Sequence, residues 1–98
     1  MSMDMRQEGK KLIVSLNGRL DTNTTPQVEE KLNTMISGIT ELVFDFSGLS
    51  YISSVGLRAL LKAEKVLNGH GKMIIKGAND DIIEIFELTG LIDVLNIE

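Results

Sequence analysis

Asp45-Phe46-Ser47-Gly48-Leu49-Ser50-Tyr51-Ile52-Ser53-Ser54-Val55-Gly56-Leu57-Arg58-Ala59-Leu60-Leu61 carries the chain from an apolar run into an apolar helical stripe. Leu42 to Phe46 is nearly continuous in apolar residues, the pattern of a strand covered on both faces. Ser47 to Ser54 is a polar interval and predicts a loop. Leu57, Leu60, Leu61 and Leu67 then fall at helical spacing, and Asn68-Gly69-His70-Gly71 ends the helix. Met73-Ile74-Ile75 supplies the next short apolar strand. Strand, helix, strand implies parallel neighbours joined by a right-handed crossover, which decides for an α/β fold.

The flanking segments fit the same scheme. Upstream, Lys11 to Asn17 alternates, with Leu12, Val14 and Leu16 on one face and Ile13 and Ser15 on the other. Gly18 is expected to close that strand. Glu8-Gly9-Lys10 is placed to turn a hairpin back to a short edge strand, Met3 to Gln7. Asp21-Thr22-Asn23-Thr24-Thr25-Pro26 starts a helix, because Thr24 or Thr25 can cap free amides and proline suits the first turn. Val28, Leu32, Met35 and Ile36 form its inner stripe, and Ser37-Gly38 ends it. Downstream, Asn79 caps a helix from Asp80 to Leu88, and Gly90 is its C-terminal stop. Val94 to Ile97 is expected as a last strand. The predicted order is β-β-α-β-α-β-α-β, a mixed, mostly parallel sheet with helices on at least one face.

The 98 residues suit one domain, 1–98, with one modest core. A hydrophobic share of 43% beside 24% charged residues is that of a globular chain rather than a disordered one. There is no cysteine, which removes disulfides and thiolate metal sites and suits a reducing cytoplasm. Met1 to Lys11 lacks the apolar core of a signal peptide, and no run approaches the ~18 apolar residues of a membrane span. A net charge of -4 with scattered cations argues against direct binding of nucleic acid.

Sites in sheets of this kind form beyond the carboxyl ends of the strands. Two segments reach that edge, Gly18 to Thr25 and Ser47 to Ser54. Ser53 or Ser54 stands at the first turn of the following helix, where free amides and the helix dipole tolerate negative charge. Gly56 would let a group approach that turn closely. Position alone favours the plainer role of a helix cap for one of the serines. Asp45 and Asp21 end strands beside these segments, and hydrogen bonding to loop amides competes there with a role beside a phosphate-bound metal. His70, the one histidine, sits in a glycine turn with no Ser-His-acid arrangement around it. Gly69-His70-Gly71-Lys72 lacks the spacing of a phosphate-binding loop and precedes a strand, not a helix. Asp80 and Asp81 are explained by helix-start electrostatics. No convergent set of residues supports an enzyme, a metal site or a cofactor.

Asp45 to Leu57 resembles the signature of STAS domains, specifically the bacterial anti-sigma-factor antagonists. Gly18-Arg19-Leu20-Asp21 is similar to the family's G-x-L-D segment, and Phe86-Glu87-Leu88-Thr89-Gly90-Leu91 to its late F-x-x-[ST]-G-L segment. The resemblance covers nearly the whole chain. It implies a STAS-type fold with the helices on one face, and a small cytoplasmic protein that binds an anti-sigma factor and so frees a sigma factor. That anti-sigma factor is often a serine kinase, and a phosphatase of the PP2C class reverses its action. By alignment on Gly56-Leu57 the phosphoacceptor would be Ser54. Ser53 stands where the family commonly has aspartate, removing one charge and offering a second acceptor, and Val55 replaces the usual Ser or Thr. The implied partner surface comprises Asp21, Ser50, Ser53, Ser54, Gly56, Arg58 and Lys62. The family usually adds a fourth helix after the last strand, and Glu98 leaves no room for it. A non-phosphorylated accessory subunit of an ATP-binding-cassette lipid transporter is the alternative that Ser53 and Val55 leave open.

Overall fold

The computed structural model describes residues 1–98. Strand β1 (Ser2–Glu8) turns back through Gly9 into β2 (Lys11–Leu20), which pairs with it antiparallel. Helix α1 (Thr25–Met35) and a 3-10 turn (Ile36–Gly38) lead to β3 (Glu41–Ile52), parallel to β2. Helix α2 (Ser54–Leu67) crosses to β4 (Lys72–Lys76), parallel to β3, and α3 (Asp80–Leu88) follows. The sheet order β1-β2-β3-β4 is the chain order. Successive parallel crossovers in one direction put their helices on the same side.

The single face so covered holds the core. Leu12, Val14 and Leu16 of β2 and Leu42, Phe44 and Phe46 of β3 meet Val28 and Leu32 of α1. Leu57, Leu60 and Leu67 of α2 and Ile82 and Phe86 of α3 complete it. The phenylalanine rings of Phe44 and Phe46 lie 5.6 Å apart. On the opposite face the neighbours Val43 and Ile74 are buried outside this core, in register with each other and flanked by the half-buried Ile13.

Three expectations change. Gly18 does not close β2, which continues to Leu20. The interval Ser47–Ile52 is not a loop but the continuation of β3, paired with Asn17–Leu20. The pairing steps from Ser15↔Asp45 to Asn17↔Gly48, so Phe46 and Ser47 together oppose Leu16. It steps again from Gly18↔Leu49 to Arg19↔Tyr51, leaving Ser50 as a second extra residue. Two β-bulges therefore stretch the inward series from every second residue (Leu42, Phe44, Phe46) to every third (Leu49, Ile52). A broken period and a polar composition imitate a loop.

The expected last strand shrinks to one bridge. Gly90, at φ 77°, lets the chain leave α3 in the left-handed conformation, and a 3-10 turn (Leu91–Asp93) follows. Turns persist to Leu95, whose N–H donates to Leu91. Only Asn96–Glu98 remain extended: Ile75 N–H donates to Asn96 O and Glu98 N–H to Ile75 O, giving the parallel bridge Ile75↔Ile97. Leu88 and Val94 stand 79% and 54% exposed nearby, the largest apolar exposures in the chain. No helix is long and apolar enough to cross a membrane.

Candidate functional site

Strands β2 and β3 end side by side, and the two chain segments that leave them are tied together. The Ser53 amide donates to the Leu20 carbonyl at 2.9 Å, fixing the entrance of α2 against the end of β2. Gly56, in the first turn of α2, is buried. A Cβ on it would lie 2.9 Å from Ile52 Cγ1 and 3.0 Å from both Leu20 Cγ and the Leu20 carbonyl oxygen. The glycine thus serves close packing of helix on sheet. That burial replaces the expected role of admitting a group to the helix start.

The two serines divide the work. Ser53 is the N-cap, extended at φ -94° and ψ 175°, and its Oγ accepts from the Gly56 amide at 3.4 Å. It is half-buried. Ser54 begins the helix, is exposed, and forms no side-chain hydrogen bond within the protein. The capping role falls to Ser53 and leaves Ser54 with a free hydroxyl at a helix entrance.

Asp21 organises the neighbouring β2–α1 connection. Its Oδ1 accepts from the amides of Asn23 (3.0 Å) and Thr24 (3.1 Å), and its Oδ2 lies 3.6 Å from Arg19 Nε. Burial pushes its carboxyl up, but the Thr24 and Asn23 amides, the Thr24 hydroxyl and Arg19 more than reverse this and hold it below its ordinary value. Thr24 is the N-cap of α1 by position, yet its hydroxyl donates to Arg19 O and accepts from the Asp21 amide instead of capping. Thr25, the other candidate cap, is fully buried with its Oγ1 unpartnered. Arg19 also stacks 4.2 Å above the ring of Tyr51, its register partner on β3.

Ser50, the bulge residue, donates its hydroxyl to Gly18 O at 2.9 Å, which pins the bulge. Asp45 accepts from the Ser47 amide (3.0 Å) and hydroxyl (2.8 Å). Those two bonds, with attraction to Lys76, outweigh desolvation and lower its pKa. Of the two roles open to Asp45, the amide-binding one is observed. No three His, Cys, Asp or Glu side chains come together to hold a metal ion.

Beyond Ser54, α2 presents a cationic ridge along a groove shared with α1. A cavity of about 390 Å³ is lined by Val55, Ala59 and Leu61 with Arg58, Lys62 and Lys65, and faces Glu29 of α1. Lys62 Nζ lies 3.6 Å from Glu29 Oε2 and so bridges the helices. Arg58 and Lys62 lie where the sequence places them, one and two turns below Ser54. Sequence reasoning missed Lys65 and Glu29. Lys65 was accessible through the i, i+4, i+7 spacing of Arg58, Lys62 and Lys65, whereas the contact with Glu29 depends on how the helices pack.

The family model described as STAS domain matches residues 2–98. An anti-sigma-B factor antagonist of Staphylococcus aureus is 31% identical over 99 residues, covering 99% of this chain and 92% of that relative. Among solved structures, an anti-sigma factor antagonist from Mycobacterium paratuberculosis matches with a TM-score of 0.88 at 22% identity, over 98% of this chain and 83% of that one. The Bacillus cell fate determinant SpoIIAA in its phosphorylated form matches with a TM-score of 0.80 at 21% identity, over 99% and 91% respectively. At such identities the solved structures speak to the fold.

Proposed function

Because the chain belongs to the STAS domain family, among its anti-sigma-factor antagonists, we propose that it binds an anti-sigma factor through the surface headed by Ser54 and loses that partner when Ser54 is phosphorylated. The carrying observation is the division between the serines: Ser53 spends its oxygen on the helix cap, while Ser54 is exposed and unbonded. The anti-sigma factor is itself a serine kinase, and a PP2C-type phosphatase restores the hydroxyl. The setting is the cytoplasm. The protein's part is binding, and the chemistry is done to it.

In the modifying step the Ser54 oxygen bonds to the terminal phosphorus of ATP as the phosphoanhydride bond to ADP breaks. The hydroxyl proton passes to a base on the kinase. In the reverse step water displaces the serine oxygen and phosphate leaves. The added group brings roughly −1.5 to −2 charges and three acceptor oxygens to an interface formed around a neutral hydroxyl. Desolvating such charge without a cation opposite costs several kcal/mol, and each ~1.4 kcal/mol is tenfold in affinity. Asp21, Ser50 and Ser53 shape the edge from which Ser54 projects, and Arg58 and Lys62 extend the contact along α2.

The test is to incubate the chain with the anti-sigma factor kinase and ATP and to map the modification by mass spectrometry. Phosphate on Ser54 is expected, with Ser54→Asp weakening the complex at least ~10-fold and Ser54→Ala retaining it. An unmodified chain, or one modified on Ser53 alone, overturns the assignment. Co-purification with a transporter ATPase, indifferent to Ser54→Asp, would support the accessory-subunit role instead.

A further inference from the structure

The chain has three arginines, and two are occupied. Arg6 pairs with Glu8 at 3.0 Å, and Arg19 with Asp21 at 3.6 Å. Arg58 is exposed and has no carboxylate partner, in a protein whose net charge is -4. On the facing helix Glu29 is held by Lys62. Arg58 follows Ser54 by four residues, one helical turn or ~6 Å along the axis. Helical side chains lean toward the N-terminus, so Arg58 covers the turn that Ser54 heads. Anion first and cation four residues later is also the favourable order for such a pair. A guanidinium can hold two phosphate oxygens at once, which an ammonium cannot do with the same geometry.

We propose that Arg58 is the internal counter-ion of phosphorylated Ser54, drawn from the rim of the α1–α2 groove onto the phosphoryl group. This rests on Ser54 being the phosphoacceptor. In the unmodified protein the rim presents Arg58, Lys62 and Lys65 against the single carboxylate of Glu29, a surface suited to an acidic segment of the partner. Phosphorylation then acts twice: it adds about two negative charges and withdraws the one arginine. The off-state is a rim already neutralised from within. Lys62 remains on Glu29, and the nearest loop acid by connectivity, Asp21, remains on its own amides and Arg19.

The experiment uses the full chain carrying phosphoserine at position 54, introduced during synthesis, and follows the phosphorus NMR shift with pH. The second ionisation of phosphoserine lies near ~6 when unperturbed. It is expected lower in the parent than in Arg58→Gln by about 0.3 unit or more, the size of an ordinary i, i+4 ion pair. Arg58→Lys should restore part of the difference, and Lys65→Gln should leave the parent value unchanged. Equal titration of the parent and Arg58→Gln overturns the proposal, as does an equal shift in Lys65→Gln. Unmodified Arg58→Gln should melt with the parent, which separates charge pairing from damage to the fold. No kinase enters this measurement, so a chain that no kinase modifies would sink the preceding function without deciding this one.

Discussion

Ser53 and Ser54 are chemically identical and adjacent, yet their consequences should be opposite. Ser53→Ala removes the helix cap and exposes the Gly56 amide to the loss, a change typically worth about 0.5–2 kcal/mol. The 3.4 Å length of this bond favours the lower part of that range. Ser54→Ala removes a hydroxyl that bonds nothing in the protein and should leave the urea midpoint nearly unchanged. Equal midpoints for the two variants would show that the cap contributes nothing. Asp45 offers a test of a different kind at this scale. Its folded-state pKa is depressed, chiefly by the Ser47 amide and hydroxyl. Its contribution is therefore fully present above the unfolded value of about 3.9 and is lost as pH falls through the lower folded value. The stability gap between the parent and Asp45→Asn should narrow below pH ~4. A gap as wide at pH 3 as at neutrality would sink this assignment.

At the scale of elements, the first turn of α2 lies close against the ends of β2 and β3. In an exposed helix, Gly→Ala stabilises by up to about 1 kcal/mol. At Gly56 the new methyl would meet Ile52 at 2.9 Å and Leu20 at 3.0 Å, and one of those atoms is a strand carbonyl. Overpacking of this kind costs about 1–3 kcal/mol, so crowding wins over propensity. Gly56→Ala should lower the midpoint and also weaken partner binding, because it tilts the helix that carries Ser54. A variant as stable as the parent would mean that the helix can move away without loss. Farther along α2, Ala63 and Leu67 are buried in the core, and Lys62 reaches Glu29 on α1 across the surface. That pair is exposed on the lysine side, so the ridge is a surface arrangement rather than a buried one.

For the whole molecule, most elements are legible from hydrophobic period alone. Leu12, Val14 and Leu16 announce β2, and Leu57, Leu60 and Leu67 announce α2, because each set keeps one period and faces one core. β3 breaks its own period. After Phe46 the inward residues come at Leu49 and Ile52, and the serines and glycine between them carry the composition of a turn. Nothing local distinguishes a bulged strand from a loop there, since the partner that keeps it extended, Asn17–Leu20, is remote in sequence. The last strand fails for the converse reason: Val94 to Ile97 has strand composition, but the turn from Leu91 carries the chain to Leu95 first. At the site, the position of the two serines is visible in the sequence. Which one caps is not, because that depends on the backbone conformation of Ser53. The Glu29 contact is a matter of helix packing and has no local signature.

The bulges of β3 also separate its length from its aim. Because Phe46/Ser47 and Ser50 are the surplus residues, the chain on either side keeps its place opposite β2. Removing Ser50 would close the second bulge and still leave Tyr51 opposite Arg19 and Ile52 opposite Leu20. The segment before Ser54 thus carries slack that does not change where the neighbouring strand puts the serine. Substitutions at Gly56 have no such latitude.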